Sequence, residues 1–136
     1  MKKISKLIAV VLSVAVVAGM ATNAYAADIV QNDTGVYTGK IQSNGFYGGA
    51  KMFLASTSKI GTTNSIMTAG IAVDDYYSGQ ERSKNFKEAN NVTYVDTSCG
   101  VSPYASSRVT VFGSHSAYHN GQQKFYEFTE QSYDMT

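Results

Sequence analysis

Residues 104–129 constrain the fold more than any other part of the chain, because they have the pattern of a β-hairpin. Two runs rich in β-branched and aromatic residues flank Asn120-Gly121, a dipeptide that readily adopts the two positive φ angles of a type I′ turn. A two-residue turn at this position predicts the pairing of the strands. The predicted pairs are Ala117 with Lys124, His115 with Tyr126, Gly113 with Phe128 and Val111 with Glu130.

This register assigns the hairpin residues to two faces of a sheet, since successive side chains of a strand alternate. The predicted core face carries Val109, Val111, Ala117, Tyr126 and Phe128. The opposite face carries the polar residues Arg108, Thr110, Ser114, Ser116, Gln123 and Glu127, with Phe112, Tyr118 and Phe125 among them. The pattern therefore predicts a sheet with one apolar face and one polar face that also presents aromatic rings.

The N-terminus has the three parts of a secretory signal peptide. Three lysines precede an uncharged apolar run at residues 7–18, and Ala24-Tyr25-Ala26 supplies the small residues that a signal peptidase requires. The apolar run is shorter than the ~20 residues that span a bilayer, and no cysteine lies near the cleavage site to receive a lipid. We therefore expect residues 1–26 to be removed and residues 27–136 to form one secreted, extracellular domain without stable membrane insertion.

Removal of the signal peptide also changes the charge. Three of the 11 Lys and Arg residues lie within it, so eight remain against ten Asp and Glu. This slight negative charge argues against a nucleic-acid partner held by bulk electrostatics. Nine Tyr and six Phe remain, which are enough large side chains for one hydrophobic core in a domain of this size.

Turn signals and period-2 alternation divide the remainder of the domain. Residues 34–42 and 46–54 are predicted to form a second hairpin around Ser43-Asn44-Gly45, with bulges or strong twist because the region is rich in glycine. A loop is predicted at residues 56–64. The strand at 65–77 follows, where Met67, Ala69, Ile71 and Val73 alternate with polar or small residues.

Charged residues surround a single Phe86 in residues 79–91, which we predict to be a solvated connection between two sheets. A strand at 92–99 and a turn at 100–103 precede the last hairpin. Together these elements predict an all-β fold, a small antiparallel β-sandwich or open barrel of about six to eight strands. The predicted core includes Val109, Val111, Phe128, Ile71, Val73 and Ile41.

Cys99 is the only cysteine, so packing rather than an intramolecular disulfide must hold the domain together. We expect Cys99 to be buried; the alternatives are an intermolecular disulfide and a reactive thiol. A cysteine-dependent enzyme would need His115 as base and Asp96 as orienting group, but no nucleophile elbow or family-specific signature surrounds Cys99. We therefore predict no catalytic residues.

No metal or cofactor is predicted either. His115 and His119 lie four residues apart on one strand, about 13 Å along its axis, which is too far for two ligands of one zinc ion. We expect His115 to pack beside Tyr126 and His119 to lie at the turn. Asp74-Asp75, even with Asp28 or Asp33, matches no calcium loop and is expected to be a solvated edge or turn device.

Aromatic residues at loop margins and on the outward face are the best candidates for binding. The candidate binding residues are Tyr47, Tyr76, Tyr77, Tyr118, Phe112 and Phe125, and Tyr104 shares their loop-margin position. Aromatic surface groups allow β-domains to bind sugars, peptides or one another. The alternative is that this face belongs to the core of a sandwich.

The signal peptide, the size of the domain, and Ser114-His115-Ser116-Ala117 followed by a glycine-containing turn and an aromatic strand resemble small secreted β-sandwich proteins of Gram-positive bacteria. The resemblance extends to the lactococcin-type bacteriocins, which implies a β-sandwich that acts against bacteria. Those bacteriocins have Trp in their final strand, whereas this longer domain has none, so no functional residue is carried over.

We therefore expect a secreted protein without enzymatic activity that binds or antagonises at a bacterial cell surface. Its partner would be a cell-surface component or a second copy of the chain. The alternative is a structural, self-associating extracellular component.

Overall fold

The computed structural model describes residues 29–33, 36–61 and 65–136, and the predicted signal peptide lies outside these residues. Eight strands form within the described residues. In chain order they are β1 (Ile29–Asp33), β2 (Tyr37–Tyr47), β3 (Ala50–Lys59), β4 (Ser65–Asp75), β5 (Glu81–Asn90), β6 (Tyr94–Val101), β7 (Arg108–His119) and β8 (Gln122–Asp134). The first sheet has the order β1-β2-β3-β6 and the second β5-β4-β7-β8, and all pairs are antiparallel. The predicted all-β fold and strand number are confirmed.

Glycines allow the two sheets to approach each other closely. A Cβ atom on Gly39 of β2 would collide with the ring of His115, and one on Gly113 of β7 would collide with Ile41. Both positions therefore lie where the sheets face each other, and only a residue without a side chain fits there. The result is a sandwich whose inner faces interdigitate.

Buried apolar side chains between the sheets form two clusters. The larger contains Ile41, Phe53, Ala55, Ile71, Val73, Cys99, Val101, Val109, Val111, Tyr133 and Met135. The smaller contains Tyr37, Met67, Ala69, Val95, Ala117 and Phe125. Of the residues predicted to face the core, Tyr126 and Phe128 belong to neither cluster. The predicted burial of Cys99 is confirmed, and burial raises the pKa of its thiol above the usual value.

A buried histidine links the two sheets through hydrogen bonds. The Thr57 hydroxyl donates to the carbonyl of Thr68 (2.6 Å), so it accepts from Nδ1–H of His115 (3.2 Å), whose Nε2 accepts from the Thr129 hydroxyl (2.8 Å). This network assigns the neutral tautomer with the proton on Nδ1. Burial lowers the pKa of His115 to about 3, against the opposing effect of a hydrogen bond with the Ser56 backbone.

The last hairpin corrects the predicted register. The turn at Asn120-Gly121 is confirmed, with φ angles of 51° and 77°, and Tyr118 faces Gln123 beside it. A β-bulge then inserts Lys124, so that Ala117 pairs with Phe125. The predicted register would have turned Lys124 toward the core, whereas the bulge leaves it in solvent and avoids burial of an unpaired charge.

This one-residue shift reverses the faces of the rest of β8. Phe125 enters the smaller core cluster and stacks on Tyr37, with 5.5 Å between ring centroids. Tyr126 and Phe128, predicted in the core, instead lie half-buried on the outer side of the second sheet. His115 consequently faces Glu127 and not Tyr126.

The turn predicted for the N-terminal hairpin, which β2 and β3 form, is also wrong. Gly48-Gly49, with φ angles of 60° and 82°, forms the turn, whereas Gly45 lies within the predicted bulge between Ser43 and Phe46. The longer hairpin places Phe53 in the core. Burial of the Phe53 ring stabilises this arrangement.

Two segments predicted as connections are strands. Strand β3 continues to Lys59, into the predicted loop at 56–64, and the predicted solvated connection at 79–91 contains β5. Strand β5 pairs with β4 on one side only. Edge strands are rich in charged residues, which oppose pairing with other chains, so their composition resembles that of a loop. Strand β6 likewise extends to Val101, into the predicted turn.

Candidate binding surfaces

Exposed aromatic rings gather at one end of the sandwich, which we call the tyrosine end. It comprises Phe46, Tyr47, Tyr76, Tyr77 and Tyr104, whose exposed fractions range from 47% to 99%. The rings come from the β2–β3 and β4–β5 turns, or directly beside them, and from the β6–β7 loop. The antiparallel register brings these three connections to the same end of the molecule.

Backbone and side-chain hydrogen bonds hold the connections of the tyrosine end together. The N–H of Tyr76 donates to the carbonyl of Arg108 (3.0 Å), and Nε of Arg82 donates to the hydroxyl of Ser106 (2.9 Å). The ammonium of Lys51 donates to the carbonyl of Asp134 (2.7 Å). The turn, the loop and the C-terminal strand are therefore joined to one rigid support.

The β4–β5 turn orders two of the rings. The Asp75 carboxylate accepts hydrogen bonds from the Ser78 N–H (3.3 Å) and hydroxyl (3.1 Å), which closes the turn. Tyr76 and Tyr77 meet edge to face at 5.1 Å, and the Arg108 guanidinium lies 4.5 Å from the centre of the Tyr76 ring. These contacts restrain the rings before any partner binds, which reduces the entropic cost of binding. The Asp75 hydrogen bonds confirm a turn role for this residue, but its side chain is buried and not solvated as expected.

A second surface is the outer face of the second sheet, which points away from the first sheet. Three adjacent rows cross this face from β5 through β4 and β7 to β8. The rows are Glu88-Thr68-Ser116-Tyr126, Phe86-Gly70-Ser114-Phe128 and Lys84-Ala72-Phe112-Glu130. Small residues occupy most positions on the two central strands, and larger side chains stand on the two flanking strands. The central residues Thr68, Ser114 and Ser116 are buried, although they point away from the first sheet.

Several polar atoms of the outer face have no hydrogen-bond partner in the part of the chain that the structure describes. They are Oε1 of Glu88, Oγ of Ser114, Oη of Tyr126, Oε1 of Glu130 and Nε of Arg108. Ser114 has no exposed surface at all. By contrast, the neighbouring hydroxyls of Thr68 and Ser116 bond to each other. Unsatisfied buried polar atoms are rare in proteins, and here all of them lie on one face.

Burial shifts the titration of two side chains on this face. It raises the pKa of Glu130 to about 7, so this carboxyl is partly protonated near neutral pH. It also raises the pKa of Tyr126, to which the nearby Tyr118 adds a smaller effect. The neutral forms of both groups can donate as well as accept hydrogen bonds.

The predicted binding residues divide among three environments. Tyr47, Tyr76 and Tyr77 lie together with Tyr104 at the tyrosine end. Tyr118 is half-buried at the margin of the outer face, where its hydroxyl donates to Oε1 of Gln123 (2.9 Å). Phe112 is buried within the outer face. Phe125 lies inside the sandwich, because the bulge turned it inward.

Sequence reasoning missed several members of both surfaces. Phe46 adjoins Tyr47 at a turn, and that local signal would have identified it. Phe86, Glu88, Tyr126 and Glu130 belong to the outer face only through the pairing of β5 and β8 with the central strands. No local pattern reveals such neighbours, since they are separated by up to 44 residues in the chain.

The structure does not bring the considered catalytic residues together. Cys99 and Asp96 lie on β6 at an odd spacing, so their side chains point to opposite faces of the first sheet. His115 bonds to Thr57 and Thr129 instead. No group of three His, Cys, Asp or Glu side chains that would hold a metal ion occurs among residues 29–33, 36–61 and 65–136.

No protein-family model matches the chain, and no curated protein sequence is significantly similar to it. In the described part of the chain, no helix is long and apolar enough to cross a membrane.

Proposed function

We propose that the protein is a secreted binding protein that recognises a component of a bacterial cell surface with its tyrosine end and thereby antagonises the cell. The observation that carries the proposal is the clustering of five exposed aromatic rings on three connections at one end of a rigid sandwich. The proposed export depends on the predicted signal peptide, and antagonism depends on the resemblance to secreted bacteriocins.

The composition of the tyrosine end supports recognition. Its connections combine Tyr with Gly and Ser, as in Tyr47-Gly48-Gly49 and Tyr76-Tyr77-Ser78-Gly79. Antibody loops use the same residue types, because Tyr supplies large, stiff contacts and Gly and Ser supply adaptable backbone and hydrogen bonds. Each ring that becomes buried on binding would contribute about 2 kcal/mol before entropic costs.

Retention of the purified protein on intact bacterial cells, with growth inhibition as a second readout, tests the proposal. We expect the triple variant Tyr47→Ser, Tyr77→Ser, Tyr104→Ser to lose retention at least tenfold while its melting temperature stays unchanged, because the three rings are exposed. Tyr94→Ser is the matched control, since Tyr94 is 50% exposed at the opposite end of the sandwich.

Two results would contradict the proposal. Equal retention of the triple variant and the wild type would exclude the tyrosine end as the binding surface. Concentration-dependent oligomers that form without any cell-surface material, and that the triple variant cannot form, would instead identify a self-associating extracellular component. Sedimentation of the same samples measures these oligomers.

A further inference from the structure

We propose that the tyrosine end binds the surface of a phospholipid bilayer, with its rings at the level of the lipid headgroups. The inference rests on the proposed function, because it identifies the cell-surface component that this end recognises. It starts from the exposure of the tyrosine end, where five rings stand on three connections and none of the five is buried.

The tyrosine end is a set of projecting rings and not an enclosed site. Tyr104 is 99% exposed, and Tyr47 and Tyr77 are 81% and 74% exposed. The rings belong to both sheets, since Tyr47 ends β2 of the first sheet and Tyr77 follows β4 of the second. Packed sheets lie about 10 Å apart, so the rings are spread over a wide area rather than gathered around one small molecule. A membrane surface is wide enough to contact all of them at once.

The residue types of the three connections match the boundary between lipid and water. Tyr combines an apolar ring with a polar hydroxyl, and it is enriched where a membrane meets water for this reason. All the exposed rings are tyrosines except Phe46, which lies beside Tyr47. Leu, Ile and Val, which would favour the hydrocarbon interior, are absent from residues 46–50, 76–80 and 102–107. This composition predicts contact at headgroup depth without insertion.

The charges of the tyrosine end favour a lipid surface without net charge. The three connections contain no charged residue, so contact through them moves no charged side chain out of water. The strand ends behind them carry cations and carboxylates that cancel, namely Lys51, Arg82, Lys84 and Arg108 against Asp74, Asp75, Glu81 and Asp134. Without an excess of cations this end has no attraction for anionic lipid. Zwitterionic phospholipid is the surface that this balance matches.

The connections are held in place before they meet a membrane. The N–H of Tyr76 donates to the carbonyl of Arg108 (3.0 Å), and the Asp75 carboxylate closes the turn through Ser78. The connections therefore lose little conformational freedom on binding. Binding to lipid depends on the apolar area of the rings more than on their hydroxyls, whereas a protein or polysaccharide that recognises the hydroxyls would need them. This difference separates the possible partners in an experiment.

Sedimentation of the protein with sucrose-loaded vesicles of phosphatidylcholine tests the inference. We expect the serine variant Tyr47→Ser, Tyr77→Ser, Tyr104→Ser to bind at least about tenfold more weakly than the wild type, because it loses three rings. The matched phenylalanine variant, with Phe at the same three positions, keeps the rings and should bind within about threefold of the wild type. Tyr94→Ser, at the opposite end of the sandwich, is the control and should leave binding unchanged. Replacement of about a quarter of the lipid by phosphatidylglycerol should change the affinity by less than about twofold at ~0.15 M salt.

Three results would overturn the inference. They are no sedimentation with vesicles at ~5 mM lipid, binding that requires phosphatidylglycerol, and equal binding of the wild type and a serine variant that keeps the wild-type melting temperature. Failure here is distinguishable from failure of the proposed function, because retention on cells is measured without vesicles. Retention on cells that the serine variant loses, without any binding to vesicles, would overturn the membrane contact and identify a protein or polysaccharide as the partner. Vesicle binding without retention on cells would support the membrane contact and contradict the proposed recognition of cells.

Discussion

The tyrosine end and the outer face of the second sheet both present aromatic rings, but they are constructed in opposite ways. At the tyrosine end the rings are exposed on short connections, and each belongs to a local stretch of sequence such as Tyr76-Tyr77. On the outer face the rings are half-buried or buried, and polar atoms without partners lie among them. Four strands must pair in one register before this face exists.

The difference shows that similar residue types can make two kinds of surface. Exposed rings at a turn present apolar area to a large partner and need only a rigid support. Half-buried rings around unsatisfied hydroxyl and carboxyl groups depend instead on the register of several strands. The tyrosine end should therefore tolerate changes in single residues better than the outer face.

The largest expected effect is that of Gly113→Val, which removes the support shared by both surfaces. A side chain at this position would collide with Ile41, Thr129 and His115 between the sheets. Because these three side chains are buried and closely packed, we expect the free energy of unfolding to fall by about 3 kcal/mol or the domain not to fold. Chemical denaturation measures the change.

Gly45→Ala is the comparison for that experiment. No atom lies within 4 Å of a Cβ at Gly45, and only its positive φ of 75° opposes the substitution. Its cost should be roughly 1 kcal/mol. If Gly113→Val is no more destabilising than Gly45→Ala, the sheets are not in the close contact described above.

A more gradual effect is a pH dependence that belongs to the second sheet. His115 has a pKa of about 3 in the folded protein and an ordinary value of 6.5. The unfolded chain therefore binds a proton below pH 6.5 that the folded chain binds only below about 3. The free energy of unfolding should fall as the pH is lowered through this window, by at most ~1.4 kcal/mol per pH unit.

Glu130 makes the free energy of unfolding depend on pH with the opposite sign. Its pKa rises from 4.5 to about 7 on folding, so its contribution to stability is present below pH 4.5 and is lost as the pH rises through 7. Denaturation of the wild type, His115→Gln and Glu130→Gln between pH 4 and 8 separates the contributions of His115 and Glu130 to the pH dependence. A His115→Gln variant that keeps the acid-side slope would exclude the buried histidine as its cause.

The smallest expected effect is that of deleting Lys124, the extra residue of the bulge in β8. After the deletion Tyr118 still faces Gln123 and Ala117 still faces Phe125, so the remaining residues of β8 keep their faces. We expect the free energy of unfolding to change by less than about 1 kcal/mol and the residues of the outer face to keep their arrangement.

Deletion of Glu127 is the matched control, because it must move the residues on one side of the gap to the wrong face of β8. Thermal melting compares the two deletions. Equal destabilisation by both would show that the bulge at Lys124 is required for folding and is not merely an insertion that the strand accommodates.

Local patterns were sufficient for much of the fold and for most of the tyrosine end. The alternation from Met67 to Val73 predicted the central strand β4, and Asn120-Gly121 predicted the last turn correctly, because both depend on neighbouring residues. Tyr47, Tyr76 and Tyr77 were identified from their places at loop margins. Their meeting at one end required the strand order.

The sequence by itself thus determined that the chain forms antiparallel β-structure with a buried Cys99 and with aromatic residues at its turns. Only the tertiary structure decided which side of β8 faces the core, because a single bulged residue, Lys124, reverses every later side chain. It also decided that the charged segment at Glu81–Asn90 is an edge strand, since pairing with β4 outweighs its loop-like composition. The outer face exists because β8 has this register and because β5 pairs with β4. Both features depend on contacts between residues that are distant in the chain.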